Sequence, residues 1–81
     1  MSKFLRRLKK LDPQLRQEIY EKVGLFKDPA NHDRLRVHVL RGNLSGFWSF
    51  SVNYKIRIVF EYRDNETVNL LSVGGHDVYK H

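Results

Sequence analysis

The chain has 81 residues, of which 41% are hydrophobic, and a formal net charge of +6. At this length we expect one domain, residues 1–81, that buries only about 60% of the surface of its unfolded chain. The absence of cysteine excludes disulfides and thiolate metal sites, which fits a reducing compartment. No apolar run is long enough to cross a bilayer and no signal sequence follows Met1, so we expect a cytoplasmic protein without membrane contact.

Positive charge is concentrated in the first third of the chain. Residues 1–27 carry eight Lys or Arg and three acidic residues, compared with six and four in residues 28–65 and one and two in residues 66–81. Such an excess favours an anionic partner, either a nucleic acid or a membrane surface, although a membrane would require an apolar face that the core needs here. The alternative is a solvated helix face in a small basic protein.

Apolar residues in the first 27 positions recur every three or four residues, which is the pattern of amphipathic helix. Asp12 and Pro13 interrupt the pattern, because Asp is a favoured N-cap and Pro is tolerated at the first helical position. Pro29 cannot continue a helix. The sequence therefore predicts two helices, over residues 3–11 and 13–27.

After Pro29 the apolar period changes from near 3.6 to two. Residues 35–39, 48–52 and 55–60 alternate apolar and polar side chains, and residues 67–73 are more continuously apolar. These segments predict four strands, the last of them central in the sheet. Helices followed by strands predict an α+β domain with two N-terminal helices packed on one face of a small, mainly antiparallel four-stranded sheet.

The predicted strands separate two faces of the sheet. If the helices cover the face that carries Val37 and Phe50, a turn at residues 74–75 would bring His76 and Tyr79 to the rim of the other face. Guanidinium groups bind phosphate oxygens bidentately, and imidazoles transfer protons near neutral pH. The sequence thus predicts a basic groove for a phosphodiester backbone, with the strand residues Arg36, His38, Ser49, Ser51, Lys55 and Arg57.

Each of these residues also has a plainer interpretation. Arg57 is spaced to pair with Glu61 on the same face of its strand. His38 is compatible with an ordinary solvent-facing strand position and His76 with a loop. Tyr54 is suited equally to base stacking and to shielding the sheet. The four histidines show no metal-ligand spacing and no phosphate-loop motif is present, so neither a metal nor another cofactor is expected.

Residues 35–52, LRVHVLRGNLSGFWSFSV, followed by YKIRIVFEY at residues 54–62, resemble the RelE/ParE superfamily of bacterial toxins from type II toxin-antitoxin systems. VGGHDVY at residues 73–79 resembles the C-terminal G-x-H segment of that superfamily, and FLRRLKKLD at residues 4–12 resembles its first helix. Members normally begin with a strand before this helix. The resemblance therefore implies a RelE-like fold with the first strand missing.

The resemblance also implies an activity and partners. It implies an mRNA interferase, a metal-independent and ribosome-dependent endoribonuclease that cleaves mRNA in the decoding site of the 30S subunit. The implied chemistry is attack of the ribose 2′-OH on the adjacent phosphorus, which requires a base, a cation and an acid. A cognate antitoxin is the implied protein partner.

The resemblance assigns roles to residues by position. Arg57 would stabilise the phosphorane, and His76 matches the proton-transfer histidine of the YafQ and YoeB branches. His38 matches a YafQ-branch histidine, and Tyr79 lies where several members have a functional aromatic residue. The implied RNA-binding residues are Arg36, Arg41, Ser51, Tyr54 and Lys55. The implied antitoxin-binding residues are Arg6, Arg7, Lys9 and Lys10.

Two alternatives within the same superfamily stay open. A ParE-like toxin would inhibit DNA gyrase by binding it. A degenerate member would bind RNA without cutting it. The second alternative is favoured by the missing strand and by Ser51, since many relatives have Arg or His at that position.

Overall fold

The computed structural model describes residues 2–75 and Val78. In chain order, the elements are α1 (Lys3–Lys9), α2 (Pro13–Phe26), a 3-10 turn (Pro29–Asn31), β1 (His38–Val39), a second 3-10 turn (Gly42–Leu44), β2 (Trp48–Ser51), β3 (Arg57–Tyr62) and β4 (Val68–Gly74). The strands form an antiparallel sheet in the order β1-β2-β3-β4. The predicted α+β class, with two helices and four strands, is confirmed.

Side-chain caps fix where both helices begin. The hydroxyl of Ser2 accepts a hydrogen bond from the backbone N–H of Leu5 at 3.1 Å. The Asp12 carboxylate accepts from Gln14 and Leu15 at 3.0 and 3.3 Å. Each cap contributes about 1 kcal/mol by satisfying N–H groups that have no partner within the helix. The helix predicted from Asp12 and Pro13 is therefore confirmed.

The core lies between the helices and one face of the sheet. At its centre the Phe26 ring is stacked with Phe50, with centroids 4.6 Å apart, and with His32 at 4.8 Å. His32 Nε2 is 2.9 Å from the Phe26 carbonyl oxygen, which it caps at the end of α2. The core cluster contains Phe4, Leu8, Ile19, Phe26, Leu35, Phe50, Val52, Ile58, Phe60 and Val73.

The prediction that β1 starts at residue 35 is wrong, because a turn occupies the first three positions. Arg36 has φ of 58°, a left-handed conformation outside the β region of regular strands. The Val37 N–H donates to the His32 carbonyl at 3.0 Å, which closes the turn. Leu35 is buried all the same, so its apolar character reflects the core and not strand alternation.

The prediction that the last strand is central is also wrong, because β4 is at the edge of the sheet. Its apolar side chains have a different cause: α1 packs against β4. Val59 pairs with Ser72 and Phe60 with Leu70, so Leu71 is an extra residue in a β-bulge. A bulge interrupts the alternation of side chains, which is why the segment lacks a clear period of two.

Candidate functional site at the β2–β3 turn

Asn53 organises the turn between β2 and β3. Its side-chain oxygen accepts hydrogen bonds from the backbone N–H groups of Lys55 at 2.8 Å and Ile56 at 2.9 Å, an arrangement typical of Asx-turns. Its side-chain amide donates to the Glu18 carboxylate of α2 at 2.6 Å. The turn is thus held both internally and against the helix. The sequence carries no local signal for the contact between Asn53 and Glu18, because the two residues are 35 positions apart.

Arg57 is fixed by the same turn. Its Nη1 donates to the carbonyl oxygens of Asn53, Tyr54 and Ile56 at 2.7, 3.2 and 3.3 Å. Glu61 instead accepts from Asn69 at 3.2 Å, so the interpretation in which Arg57 pairs with Glu61 is wrong. Arg57 Nε and Nη2 make no hydrogen bond within the described part of the chain. One side of the guanidinium is therefore anchored, and the other side keeps donors for a ligand.

A cleft of about 500 Å³ opens beside this guanidinium, lined by Tyr54, Lys55, Arg57 and Gly75. Tyr54 is 90% exposed and Lys55 is also exposed. The cleft combines two cations with an aromatic ring, a combination suited to a phosphate and an adjacent base. His76 and Tyr79, which the sequence placed at this rim, lie outside the described residues.

His38 shares a sheet face with Arg57 but lies outside the cleft. The register pairs His38 with Ser49 and Ser51 with Arg57, and all four side chains are on the face opposite the helices. Typical strand spacing separates the Cα atoms of His38 and Arg57 by roughly 12 Å. His38 Nδ1 is 2.8 Å from the Arg36 carbonyl, which only accepts. Nε2 is therefore the nitrogen that is unprotonated in the neutral ring.

Several predicted site residues lie elsewhere. Arg36 is in the turn before β1, so it is not on the predicted strand face. Arg41 immediately precedes the second 3-10 turn and does not line the cleft. Lys55 is in the β2–β3 turn and not in a strand, yet it lines the cleft. Ser49 is fully buried, which removes it from any open groove.

The basic residues of α1 form a separate exposed surface. Arg6, Arg7 and Lys9 of this short helix and its C-cap residue Lys10 are all exposed. Arg7 also contributes to the fold, since its Nε donates to the Val73 carbonyl at 3.1 Å. Lys3, Arg6, Arg7 and Lys10 line a depression of about 260 Å³.

A larger pocket of about 550 Å³ lies at the other end of the sheet, between the C-terminus of α2 and the β3–β4 turn. Its lining includes Phe26, His32, Tyr62 and Leu70. Within residues 2–75 and Val78, no group of three His, Cys, Asp or Glu is placed to hold a metal ion. No helix in this part of the chain is long and apolar enough to span a membrane.

The fold is similar to solved toxin structures. It superposes on the YoeB-YefM complex from Staphylococcus aureus with a TM-score of 0.67 at 18% identity, covering 88% of this chain and 82% of that one. For a YoeB/ParE toxin from Agrobacterium tumefaciens the TM-score is 0.59 at 15% identity, with 88% and 84% covered. A copper-bound mutant toxin from Helicobacter pylori gives 0.60 at 19% identity, with 96% and 91% covered.

At the sequence level, no curated protein matches the chain. A family model does match: residues 3–73 fit the HigB-like toxin family, described as RelE-like toxins of the type II toxin-antitoxin system HigB. The match covers most of the chain, including both helices and the cleft residues Tyr54, Lys55 and Arg57. The superfamily prediction is therefore confirmed, and the chain belongs to the HigB-like family of RelE-like type II toxins.

Proposed function

We propose that the protein is a metal-independent, ribosome-dependent endoribonuclease that cleaves mRNA in the decoding site of the 30S subunit. The observation that carries this proposal is the guanidinium of Arg57, which is anchored through Nη1 and lines a cleft shared with Lys55 and Tyr54. Donors fixed before substrate binds stabilise developing charge without the cost of reorganisation.

Each cleft residue has a role in the proposed reaction. When the 2′-OH attacks phosphorus, negative charge builds on the equatorial oxygens, where Arg57 donates two hydrogen bonds. Lys55 attracts the neighbouring phosphate and Tyr54 stacks on a base. His38 transfers a proton through Nε2, provided that the RNA spans the separation from Arg57. His76 and Tyr79 stay predicted proton-transfer and tail residues.

We further propose that a cognate antitoxin binds the protein in the cytoplasm and holds it inactive. The family match and the similarity to the toxin of a YoeB-YefM complex support an antitoxin partner. The cationic residues Arg6, Arg7, Lys9 and Lys10 would speed encounter with an acidic partner. Association should slow as salt rises, and an on-rate that is independent of salt would contradict this role.

Substitution of Arg57 tests the nuclease directly. Arg57→Gln keeps a donor for the turn carbonyls but removes the charge, and we expect mRNA cleavage on purified ribosomes to fall by about 10²–10³-fold. Arg57→Lys, which keeps the charge but loses the planar donor pair, should retain intermediate activity. Arg34→Gln, an exposed residue in the turn before β1, is the matched control. Thermal melts verify folding, and undiminished cleavage by a folded Arg57→Gln protein would overturn the proposal.

One observation favours a second function, RNA binding without cleavage. Ser51 is directly opposite Arg57 in the sheet and supplies no charge, and His38 is roughly 12 Å from Arg57 on typical strand spacing. A non-cleaving member would bind RNA at low salt, release it as salt rises, and leave ribosome-bound mRNA intact. Toxicity that survives every cleft substitution would point instead to the ParE-like alternative, inhibition of DNA gyrase.

A further inference from the structure

The position of the Arg57 guanidinium depends on the backbone of the β2–β3 turn. The shortest of the three bonds that anchor Nη1 is to the Asn53 carbonyl, at 2.7 Å. The bond from the Asn53 N–H to the Ile56 carbonyl is long, at 3.4 Å. Tyr54 and Lys55, at the tip of the turn, are exposed. The location of the Asn53 carbonyl is therefore set in large part by the contacts of the Asn53 side chain.

Glu18 determines which way the amide of Asn53 points. Rotation of an asparagine amide by half a turn exchanges its oxygen, an acceptor, with its nitrogen, a donor. A carboxylate accepts hydrogen bonds and donates none, so Glu18, at 2.6 Å, selects the orientation in which Nδ2 faces α2. That orientation turns Oδ1 towards the N–H groups of Lys55 and Ile56, which it bonds. With the amide reversed, Nδ2 would face two other donors and the turn would lose both bonds.

Glu18 differs from the other acidic residue of α2. Glu18 and Glu21 line the same depression on this helix. Glu18 is half-buried and bonded to the turn, whereas Glu21 is exposed and its side chain has no hydrogen bond within the described part of the chain. Negative charge near an RNA cleft repels phosphate. The charge of Glu18 therefore works against RNA binding, and its contribution lies in the contact with Asn53.

We propose that Glu18 is a positioning residue that acts on Arg57 through Asn53. Glu18 fixes the Asn53 amide, the Asn53 carbonyl receives Nη1 of Arg57, and the remaining donors of that guanidinium are thereby held for a phosphate. Glu18 is not among the residues that line the cleft. The inference rests on the proposed nuclease for its effect on rate, whereas its effect on the mobility of Arg57 requires no activity.

Nuclear magnetic resonance of the full chain tests the effect on mobility without RNA. In the wild-type protein we expect the Arg57 Nε–H group to be as rigid as the backbone on the picosecond-to-nanosecond timescale, as measured by its heteronuclear NOE. Glu18→Ala should make this group mobile, and Glu18→Gln, whose amide oxygen still accepts, should keep it rigid. Glu21→Ala is the control, because it removes the same charge from the same helix. Equal rigidity in Glu18→Ala and wild type would overturn the proposal.

Cleavage kinetics on purified ribosomes test the effect on rate. By charge alone, Glu18→Ala and Glu21→Ala should both lower KM. Positioning predicts in addition that kcat falls about three- to tenfold in Glu18→Ala only, and that Glu18→Gln recovers most of this loss. In an Asn53→Ala background, Glu18→Ala should have no further effect on kcat, since both substitutions remove the same bond. With folding verified by thermal melts, an unchanged kcat in Glu18→Ala, or fully additive losses in the double variant, would overturn the proposal.

The two experiments separate this inference from the proposed nuclease. A mobile Arg57 in Glu18→Ala, together with a wild-type protein that cuts no RNA, would support the positioning of Arg57 by Glu18 and overturn the nuclease. Cleavage that is lost in Arg57→Gln but unchanged in Glu18→Ala would support the nuclease and overturn this inference.

Discussion

The two ends of the sheet hold cavities of similar size and opposite character. The pocket of about 550 Å³ near the C-terminus of α2 is built around the stacked rings of Phe26 and His32. The cleft of about 500 Å³ at the β2–β3 turn is built around a guanidinium fixed by backbone carbonyls. The first is lined largely by aromatic and apolar side chains, together with Lys27 and Glu66, and the second by two cations, one aromatic ring and Gly75. Cavity volume alone therefore does not distinguish the two, and the proposed site rests on the fixed donors of the cleft.

Truncation of Phe26, the ring at the centre of the aromatic stack, should have the largest effect on stability. Phe26→Ala removes a ring that contacts both Phe50 and His32, and we expect the free energy of unfolding to fall by about 3–5 kcal/mol. Phe26→Leu, with a smaller loss, is the companion variant if the first does not fold. Chemical denaturation measures the change. Cleavage per folded molecule should be unaltered, and a selective loss of cleavage would assign the pocket a functional role.

Removing the anchor of the turn should affect both stability and activity. Asn53→Ala deletes hydrogen bonds to Lys55, Ile56 and Glu18, and we expect a loss of about 1–3 kcal/mol in the free energy of unfolding. Cleavage by the folded protein should fall about tenfold, because the carbonyls that position Arg57 become mobile. Asn69→Ala, which removes an exposed side-chain bond to Glu61, is the control. Full activity in Asn53→Ala would show that the turn does not position the guanidinium.

Substitution of Tyr54 should give the smallest structural effect. The side chain is 90% exposed, so Tyr54→Ala should leave the melting temperature nearly unchanged. Loss of a stacking platform weakens binding of single-stranded RNA by about 1–3 kcal/mol. We therefore expect KM to rise with little change in kcat, and Tyr54→Phe to restore binding. Equal affinity of wild type and Tyr54→Ala would assign the ring to shielding of the sheet.

Local features of this chain could be predicted from sequence and distant ones could not. The start of α2 follows from Asp12 and Pro13, because a cap and the residues it bonds are adjacent. The left-handed conformation of Arg36 was not predicted. The alternation of apolar residues over positions 35–39 is expected for a strand, but it also fits a turn in which Leu35 is buried. The edge position of β4 was not predicted, because a strand covered by a helix and a strand at the centre of a sheet both carry apolar residues.

In the candidate site, too, some residues could be predicted from the sequence and others could not. Arg57, Lys55 and Tyr54 were predicted from residue type and resemblance, and the structure brings them to one cleft. Arg36 was assigned to the groove by the assumed strand register, which the turn before β1 invalidates. Arg41 was assigned by resemblance and lies just before the second 3-10 turn. The anchoring of Asn53 by Glu18 could not be predicted, because the two residues are 35 positions apart.

The bond between Asn53 and Glu18 also has a consequence for how the cleft assembles. A hydrogen bond across 35 residues forms only after the chain has closed the intervening loop, so the β2–β3 hairpin alone lacks it. During synthesis α2 emerges first and supplies the carboxylate on which the later hairpin docks. A fragment that lacks α2 would therefore carry Tyr54, Lys55 and Arg57 without the contact that holds their turn against the helix.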